Sequence, residues 1–372
     1  MLYFDYSATT PIDPQVLQLM QQVAQENFGN PSSTHKLGQK ARSIIEKARR
    51  QVANALNVKP HNIIFTGSGT EANNMVLQNL LFSNKKHVIT SAIEHPAILK
   101  TLKKMKNFGI TTTIIPVDKF GLIKLDRIES VIQKDTGLIT IMHANNEVGT
   151  VQPLNEISKI AKNHNIIFHS DAVQAPGKLP LDLSADLMSF SAHKFYGPKG
   201  VGFLYCRDDV KLNPLIIGGG QESKLRAGTE NTAGIGGLGL AIELASKYLE
   251  KNQKHLTSLE EHFKTRLRQI YPSIKFNGHP EKHLPGLNSV TFLHIKSDKM
   301  LVNLDMNNIA VSSGSACSSG VVKPSEVLKA MGISNELNLS TLRISFGKDN
   351  TSAEVDQLVD TISKILRKYS VI

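Results

Sequence analysis

Ser189-Phe190-Ser191-Ala192-His193-Lys194-Phe195-Tyr196-Gly197-Pro198-Lys199-Gly200 places two hydroxyls, an imidazole and a lysine ahead of a turn rich in Gly and Pro. Before it, Ala185-Asp186-Leu187-Met188 has the pattern of a strand entering a core; after it, Val201-Gly202-Phe203-Leu204-Tyr205 has that of another. A lysine held between two buried strands loses hydration, which lowers its pKa and makes its amine nucleophilic. Such an amine suits a Schiff base to an aldehyde such as pyridoxal phosphate. By themselves the same residues also fit a surface turn with two solvated lysines, so the reading depends on the rest of the chain.

Upstream, strands and helices alternate. Asp13-Pro14 opens a helix to about Phe28, with Asp as N-cap and Pro at the first helical position. A longer helix follows, with Leu37, Ala41, Ile44, Ala48, Val52 and Ala55 along one face. Asn62-Ile63-Ile64-Phe65 is a short buried strand that ends at Thr66-Gly67-Ser68-Gly69-Thr70-Glu71, and a helix runs from Ala72 to Leu81. Strand, small-residue turn and helix form the geometry in which amides at a helix start bind phosphate. The turn lacks the lysine of a P-loop, which disfavours a nucleoside triphosphate.

Further strands are expected from His87 to Thr90, from Thr111 to Pro116, from Gly137 to Met142 and from Ile166 to His169. Helices are expected between them, near Leu125 to Gln133 and from about Pro153 to Asn163. This alternation indicates a mostly parallel sheet covered by helices, whose ligands bind at the carboxyl ends of the strands. Thr70, His95, Asn146, Asp171 and Lys194 all fall at or just past such ends. His95 or Asp171 alone would read as a helix cap or a satisfied core polar group; five together indicate a site.

Gly234-Ile235-Gly236-Gly237-Leu238-Gly239 matches the dinucleotide pattern G-x-G-x-x-G. The polar stretch before it is no buried strand, so the required strand–turn–helix context fails and the glycines read as close helix packing. After about Glu250 the pattern changes to a charged helix from Lys251 to Ile270, a strand over Leu287 to Phe292 and a strand over Leu342 to Phe346. A helix near Ser325 to Met331 and a terminal helix complete the chain, as expected of a smaller α+β domain with antiparallel strands. The expected division is a large α/β domain over 15–250 and a small domain formed by 1–14 and 251–372.

The 372 residues are 40% apolar and 20% charged, ordinary for a globular protein. No apolar run is long enough to cross a bilayer, and Met1-Leu2-Tyr3-Phe4-Asp5-Tyr6 lacks the pattern of a signal peptide, so a cytoplasmic protein without a membrane partner is expected. The net charge of +11 comes with no compact basic tract and no zinc-finger spacing, so direct nucleic-acid binding is not expected. Cys206 and Cys317 are the only cysteines, and they stand far apart. They form no disulfide framework, in keeping with a reducing compartment. Cys206 ends an apolar run and reads as a buried, inert filler. Cys317 sits in Ser312-Ser313-Gly314-Ser315-Ala316-Cys317-Ser318-Ser319-Gly320, too small and polar for a core, where a thiol is open to reaction.

In order and spacing, these residues resemble the NifS/IscS-type cysteine desulfurases, of the class V aminotransferase family and fold-type I. The resemblance runs from Tyr6-Ser7-Ala8-Thr9-Thr10-Pro11 through Thr70-Glu71-Ala72-Asn73-Asn74, Glu94-His95 and Asn145-Asn146-Glu147-Val148-Gly149 to Asp171-Ala172-Val173-Gln174. It continues through Ser191-Ala192-His193-Lys194 and Arg226-Ala227-Gly228-Thr229-Glu230 to Ser313-Gly314-Ser315-Ala316-Cys317, the last resembling the group I branch. Gly67-Ser68-Gly69 departs from the family's usual Ser-Gly-Ala or Ser-Gly-Gly. The resemblance implies an α/β fold with a mostly parallel seven-stranded sheet flanked by helices, plus a smaller α+β domain, and pyridoxal 5'-phosphate as cofactor.

It also implies roles for individual residues. Lys194 would hold the cofactor and move protons at the substrate's α-carbon, Asp171 would pair with the ring nitrogen, Gln174 would bond the ring oxygen, and His95 would stack on the ring and help proton transfer. Gly69, Thr70, Ser191 and His193 would bind the phosphate, joined by Thr229 from the other subunit of a homodimer. Arg343 would clamp the substrate carboxylate, with Asn146 beside it. Cys317 would take sulfur from L-cysteine as a persulfide while L-alanine leaves, for delivery to a protein acceptor such as an iron–sulfur scaffold or a tRNA-thiolation enzyme. A selenocysteine lyase, another class V lyase and a non-catalytic sulfur-relay scaffold are the alternatives.

Overall fold

A computed structural model describes residues 1–181, 183–314 and 323–372. The chain begins with a two-residue strand, β1 (Leu2–Tyr3). Helix α1 (Pro14–Glu26) follows; Asp13 caps it by accepting the Gln15 N–H at 2.9 Å, and Pro14 occupies the first turn. Helix α2 (Lys36–Leu56) ends at Asn57, which adopts the left-handed conformation at φ 55°. Its buried face includes Ala41, Ala48 and Val52 as expected, together with Ile45, Ala53 and Leu56. Leu37 is exposed instead, and Ile44 and Ala55 lie at the margin. The face is set by the helix that α2 meets, which a periodicity count does not identify.

The βα alternation then unfolds as β2 (Ile63–Thr66), α3 (Gly69–Gln78), β3 (His87–Ser91), α4 (Pro96–Met105), β4 (Thr111–Ile115), α5 (Leu125–Ser130), β5 (Thr136–Thr140), α6 (Leu154–Asn163) and β6 (Ile167–Asp171). Two strands, β7 (Leu187–Ser191) and β8 (Gly202–Cys206), flank the lysine turn. These form one seven-stranded sheet in the order β2-β8-β7-β6-β5-β3-β4. β8 pairs antiparallel with both of its neighbours, and the remaining pairings are parallel.

Alternate residues feed two opposite cores, as a pleat of period two requires. Phe65, Ile89, Ile139, Met188 and Phe203 belong to one, and Ile64, Val88, Leu138, Leu187 and Leu204 to the other. Both faces are thus apolar and helix-covered, as in other parallel sheets. Strand β7 starts two residues later than the sequence pattern places it and reaches Ser191, because Ser189, Phe190 and Ser191 pair with Leu204, Phe203 and Gly202. Helix α3 starts at Gly69 rather than Ala72, because the Ser68 hydroxyl accepts the Glu71 N–H at 3.1 Å. It ends at Gln78, before a 3-10 turn over Asn79–Phe82.

Helix α7 (Thr232–Lys247) holds the glycine pattern and packs on α1 and α2. A Cβ at Gly239 would lie 2.6 Å from Ala48 Cα, and one at Gly237 would lie 2.7 Å from Met20 Cγ. These glycines therefore permit close helix contact, as expected from the sequence. Beyond them come α8 (Leu249–Ile270), β9 (Lys275–Asn277), β10 (Leu287–Thr291), α9 (Ser297–Met306), β11 (Ile309–Ala310), α10 (Glu326–Ala330), α11 (Asn335–Asn338), β12 (Thr341–Ser345) and α12 (Ser352–Lys368). β12, β10 and β9 form an antiparallel sheet in that order, and β1 pairs in parallel with β11. Phe4, Phe263, Phe292, Ile344, Phe346 and Leu358 build a separate core beneath this sheet. No helix among the described residues is long and apolar enough to cross a membrane.

Candidate active site

Lys194 ends a single 3-10 turn (Ala192–Lys194) that follows directly on β7. Its Nζ donates to the carbonyls of Ser7 and Ala8, both at 2.7 Å. The N-terminal segment is strapped across this turn. Thr10 N–H and Oγ1 donate to His193 O at 2.9 and 3.0 Å, and Tyr196 N–H donates to Thr10 Oγ1 at 2.8 Å. Burial pushes the Lys194 amine down to about 8; the Arg343 charge adds to the effect, while Asp5 and Asp171 oppose it. Loss of hydration thus does here what was expected of a lysine between buried strands.

Asp171 closes β6 and is buried. Asn73 Nδ2 donates to its Oδ2 at 2.7 Å, and the Val173 N–H donates to its Oδ1 at 3.1 Å. Gln174, one turn on, donates through Nε2 to the Ser7 carbonyl at 3.0 Å and accepts at Oε1 from Lys178 at 3.2 Å. The Lys178 amine is pushed down to about 7, chiefly by burial and further by the Lys194 and Arg343 charges. His95 caps α4 by accepting the Ala97 N–H on Nδ1 at 3.1 Å. A neutral His95 ring therefore carries its proton on Nε2.

Gly69 and Thr70 open α3, so their amides have no acceptor within the helix. A Cβ on Gly69 would stand 2.7 Å from Val173 Cγ2 and 3.4 Å from Ser191 Cβ, so the turn is pressed against the ends of β6 and β7. The His193 ring approaches Thr9 Oγ1 at 3.1 Å and is pushed down to about 4 by burial and then by Lys194 and Lys199. A neutral His193 can donate to an anion without itself carrying charge.

Arg343 comes from β12 of the second sheet. Its Nη2 pairs with Asp5 Oδ1 at 2.8 Å, its Nη1 donates to the Asn146 carbonyl at 3.1 Å, and its buried Nε has no hydrogen-bond partner. Gly69, Thr70, His95, Asn146, Asp171, Gln174, Ser191, His193, Lys194 and Arg343 all line one cavity of about 420 Å³. Thr229 does not; it is exposed and lines a separate cavity of about 160 Å³ with Arg226 and Asn231. Cys317 lies outside the described residues, although Gly314 of the same segment forms part of the main cavity's wall. Cys206 is buried with its thiol pushed up to about 12, chiefly by burial, and its Sγ donates to the Val210 carbonyl at 3.5 Å. It is the inert filler its apolar run indicates.

The main cavity offers a desolvated amine, a buried carboxylate, hydroxyls beside a helix N-terminus and an orphaned guanidinium nitrogen. That donor set fits pyridoxal phosphate, which needs an amine for its aldehyde, an acid for its ring nitrogen and donors for its phosphate. Sequence reasoning assigned no part to Ser7, Ala8, Asp5, Lys178 or Glu147. Asp5 and Lys178 lie outside the motifs quoted above, Ser7, Ala8 and Glu147 lie within them without an assigned role, and only their contacts with Arg343, Gln174, Lys194 and Ser325 single the five out.

The comparisons with known proteins agree along the whole chain. The Aminotransferase class-V family model matches residues 2–358. The cysteine desulfurase IscS of Dictyoglomus turgidum is 43% identical, over all of this chain and 96% of that protein. A solved NifS-like protein superposes with a TM-score of 0.93 at 39% identity, covering 98% of this chain and 99% of that one. A solved SspA in complex with cysteine has a TM-score of 0.81 at 37% identity, over 93% of this chain and 99% of that one.

Proposed function

The chain belongs to the class-V aminotransferase family, in its cysteine desulfurase branch, and from that premise we propose that it removes sulfur from L-cysteine and releases L-alanine. The observation that carries the reading is one cavity in which Lys194, Asp171 and Arg343 face the same space, with Gly314 in its wall. Lys194 would hold pyridoxal phosphate, Asp171 its ring nitrogen and Gln174 its ring oxygen, with His95 against the ring. Gly69, Thr70, Ser191 and His193 would hold the phosphate. The bound cofactor supplies an electron sink for charge developing at the substrate's α-carbon.

The chain's own residues do the rest. Arg343 binds the substrate carboxylate through its fork of donors, beside Asn146, and so fixes which bonds face Lys194. Lys194, whose amine is lowered to about 8 chiefly by burial, takes the proton from the α-carbon in its neutral form and returns one. Cys317, as thiolate, attacks the substrate sulfur. The new S–S bond forms as the substrate's C–S bond breaks, and the bonding pair stays with the substrate carbon, which is protonated and leaves in alanine. The sulfur remains on Cys317 as a persulfide, for a protein acceptor in iron–sulfur cluster assembly or tRNA thiolation. A cytoplasmic location accords with this chemistry.

The test is direct. Supplied with pyridoxal phosphate, the protein should turn yellow, change spectrum on adding cysteine and form alanine and sulfide in equal amounts in the presence of a reducing thiol. A spectral change with no alanine would remove the desulfurase reading.

In the same proposal Thr229 serves the site of a second copy of the chain, which accounts for its distance from the cavity that holds Lys194. A hybrid dimer of one Thr229→Ala chain and one Lys194→Ala chain should confine both defects to a single site and leave the other whole. Mixing and reassembling the two variants should therefore restore a measurable part of wild-type turnover. No recovery in a hybrid verified by native mass spectrometry counts against a shared site.

A further inference from the structure

The small-residue turn ahead of α3 parts two cavities. Ser68, Gly69 and Thr70 line the main one, and Gly67 lines the smaller one that also holds Glu222, Arg226 and Glu230. The turn leaves β2, an end strand of the large sheet that is paired on one side with β8. Its outward amides need acceptors from elsewhere. Two carboxylates supply them: Glu222 Oε2 accepts the Phe65 N–H and Glu71 Oε2 the Gly67 N–H, both at 2.8 Å. Each carboxylate is met in turn by an arginine fork. Arg49 Nη1 and Nη2 donate to Glu222 at 2.8 and 2.7 Å. Arg226 Nε and Nη2 donate to Glu71 Oε1 and Oε2 at 2.8 and 3.3 Å.

Glu71 shapes the turn from within its own helix. It stands in the first turn of α3, with its N–H on the Ser68 hydroxyl at 3.1 Å and its carboxylate reaching back to Gly67. Backbone and side chain thus clasp the residues between them, as in a capping box. The Thr66 hydroxyl adds a bond to the Ser68 carbonyl at 2.9 Å. This clasp fixes where the unpaired Gly69 and Thr70 amides lie.

The clasp also brings an unfavourable charge. A helix start attracts a phosphate dianion through its amides, whereas a carboxylate in the first turn of the same helix repels it. Arg226 cancels that repulsion. Its side chain is 24% exposed and that of Glu71 17%, so water screens the pair only in part. The neighbouring acids make the balance sensitive. Glu222 is matched by Arg49, but Glu230 has a buried oxygen without a hydrogen-bond partner.

We propose that Glu71 and Arg226 are a positioning pair for the cofactor's phosphate: Glu71 sets the shape of the turn through Gly67, and the Arg226 fork cancels the carboxylate's charge so that the turn accepts a dianion. The inference rests on the assignment of the phosphate to Gly69 and Thr70. Its test titrates cofactor-free protein with pyridoxal phosphate and, separately, with pyridoxal, which shares the ring and aldehyde and lacks the phosphate. Visible absorbance gives each affinity, after thermal melting has verified folding. Arg226→Gln keeps a donor toward Glu71 and removes the charge. Glu71→Gln keeps an acceptor for the Gly67 N–H and removes the opposite charge. The double variant removes both, and Arg226→Lys keeps the charge without the fork.

Arg226→Gln should weaken pyridoxal phosphate by at least about tenfold and pyridoxal by less than about twofold, because the uncompensated carboxylate acts on the phosphate alone. Glu71→Gln should bind pyridoxal phosphate at least as tightly as wild type. The double variant should regain at least about fivefold over Arg226→Gln, and Arg226→Lys should stay within about threefold of wild type. The recovery separates charge from structure. A merely structural bridge, or a displaced Thr229 on the same loop, would leave the double variant as weak as Arg226→Gln or weaker.

A preference for pyridoxal phosphate over pyridoxal that is equal in wild type and Arg226→Gln would overturn the pair. So would a double variant no tighter than Arg226→Gln. If Arg226→Gln does not fold, Glu71→Gln carries the test by itself, and a selective loss of pyridoxal phosphate there decides against the inference. Wild type that binds pyridoxal phosphate no more tightly than pyridoxal removes the phosphate assignment itself, and the role of the pair with it.

Discussion

Cys317→Ser should bind cysteine with the full spectral change and yet form no alanine or sulfide above background, a loss of at least about a thousandfold, or about 4 kcal/mol of transition-state stabilisation. Binding depends on Lys194 and Arg343, which the substitution leaves alone, whereas sulfur transfer needs a thiolate, and a hydroxyl is a poor nucleophile toward sulfur. Cys206→Ser is the control. Its thiol is buried, pushed up to about 12 and 3.5 Å from the Val210 carbonyl. The substituted hydroxyl therefore finds an acceptor, and the variant should lose no more than about 1–3 kcal/mol of stability while keeping its turnover. After one pulse of cysteine, mass spectrometry should place the added sulfur on the Cys317 peptide. Added sulfur on Cys206, or alanine formed at the normal rate by Cys317→Ser, would sink the persulfide mechanism.

Lys194→Ala should abolish covalent capture of pyridoxal phosphate. Hydride reduction should fix the cofactor to the Lys194 peptide of wild type and leave the variant unlabelled, a difference of at least about a hundredfold. Some cofactor should still be retained reversibly by Asp171 and the α3 N-terminus, so dialysis distinguishes loss of the covalent bond from loss of the site. The wild-type pH profile carries a second check. The reactive form is the neutral amine, and its pKa is lowered to about 8, chiefly by burial. Initial capture rates should therefore rise about tenfold per pH unit below pH 8 and level off above it, whereas an unshifted lysine would keep rising to about pH 10.4. Labelling of the variant at wild-type yield, or a profile that still climbs steeply past pH 9, would remove Lys194 from its assigned place.

Much of this architecture is legible in local sequence. Ile63–Phe65 and Phe203–Leu204 carry the apolar runs of strands buried on both faces, and Asp13-Pro14 carries a helix start. The alternation of such elements dictates a mainly parallel sheet, since right-handed helical crossovers leave the carboxyl ends of the strands on one side. That is why Thr70, His95, Asn146, Asp171 and Lys194 could be gathered from sequence before any contact was known. The glycines of α7 could likewise be separated from a dinucleotide turn, because the residues before them are too polar for a buried strand.

What local pattern does not encode is the meeting of residues far apart in the chain. The reversal of β8 and the reach of β7 to Ser191 are settled by which strand each one pairs with. The buried face of α2 is likewise settled by its contact with α7. Asn73 reaches Asp171, Ser7 and Ala8 reach Lys194, Asp5 reaches Arg343 and Glu147 reaches Ser325 only because two sheets and the N-terminal strap close on one another. The sequence by itself therefore determined the fold class and the chemistry on offer, which follow from short-range periodicity and side-chain type. Tertiary structure alone decided the hydrogen-bond partners and the lowered Lys194 amine, because desolvation and directed hydrogen bonds exist only once distant segments have excluded water between them.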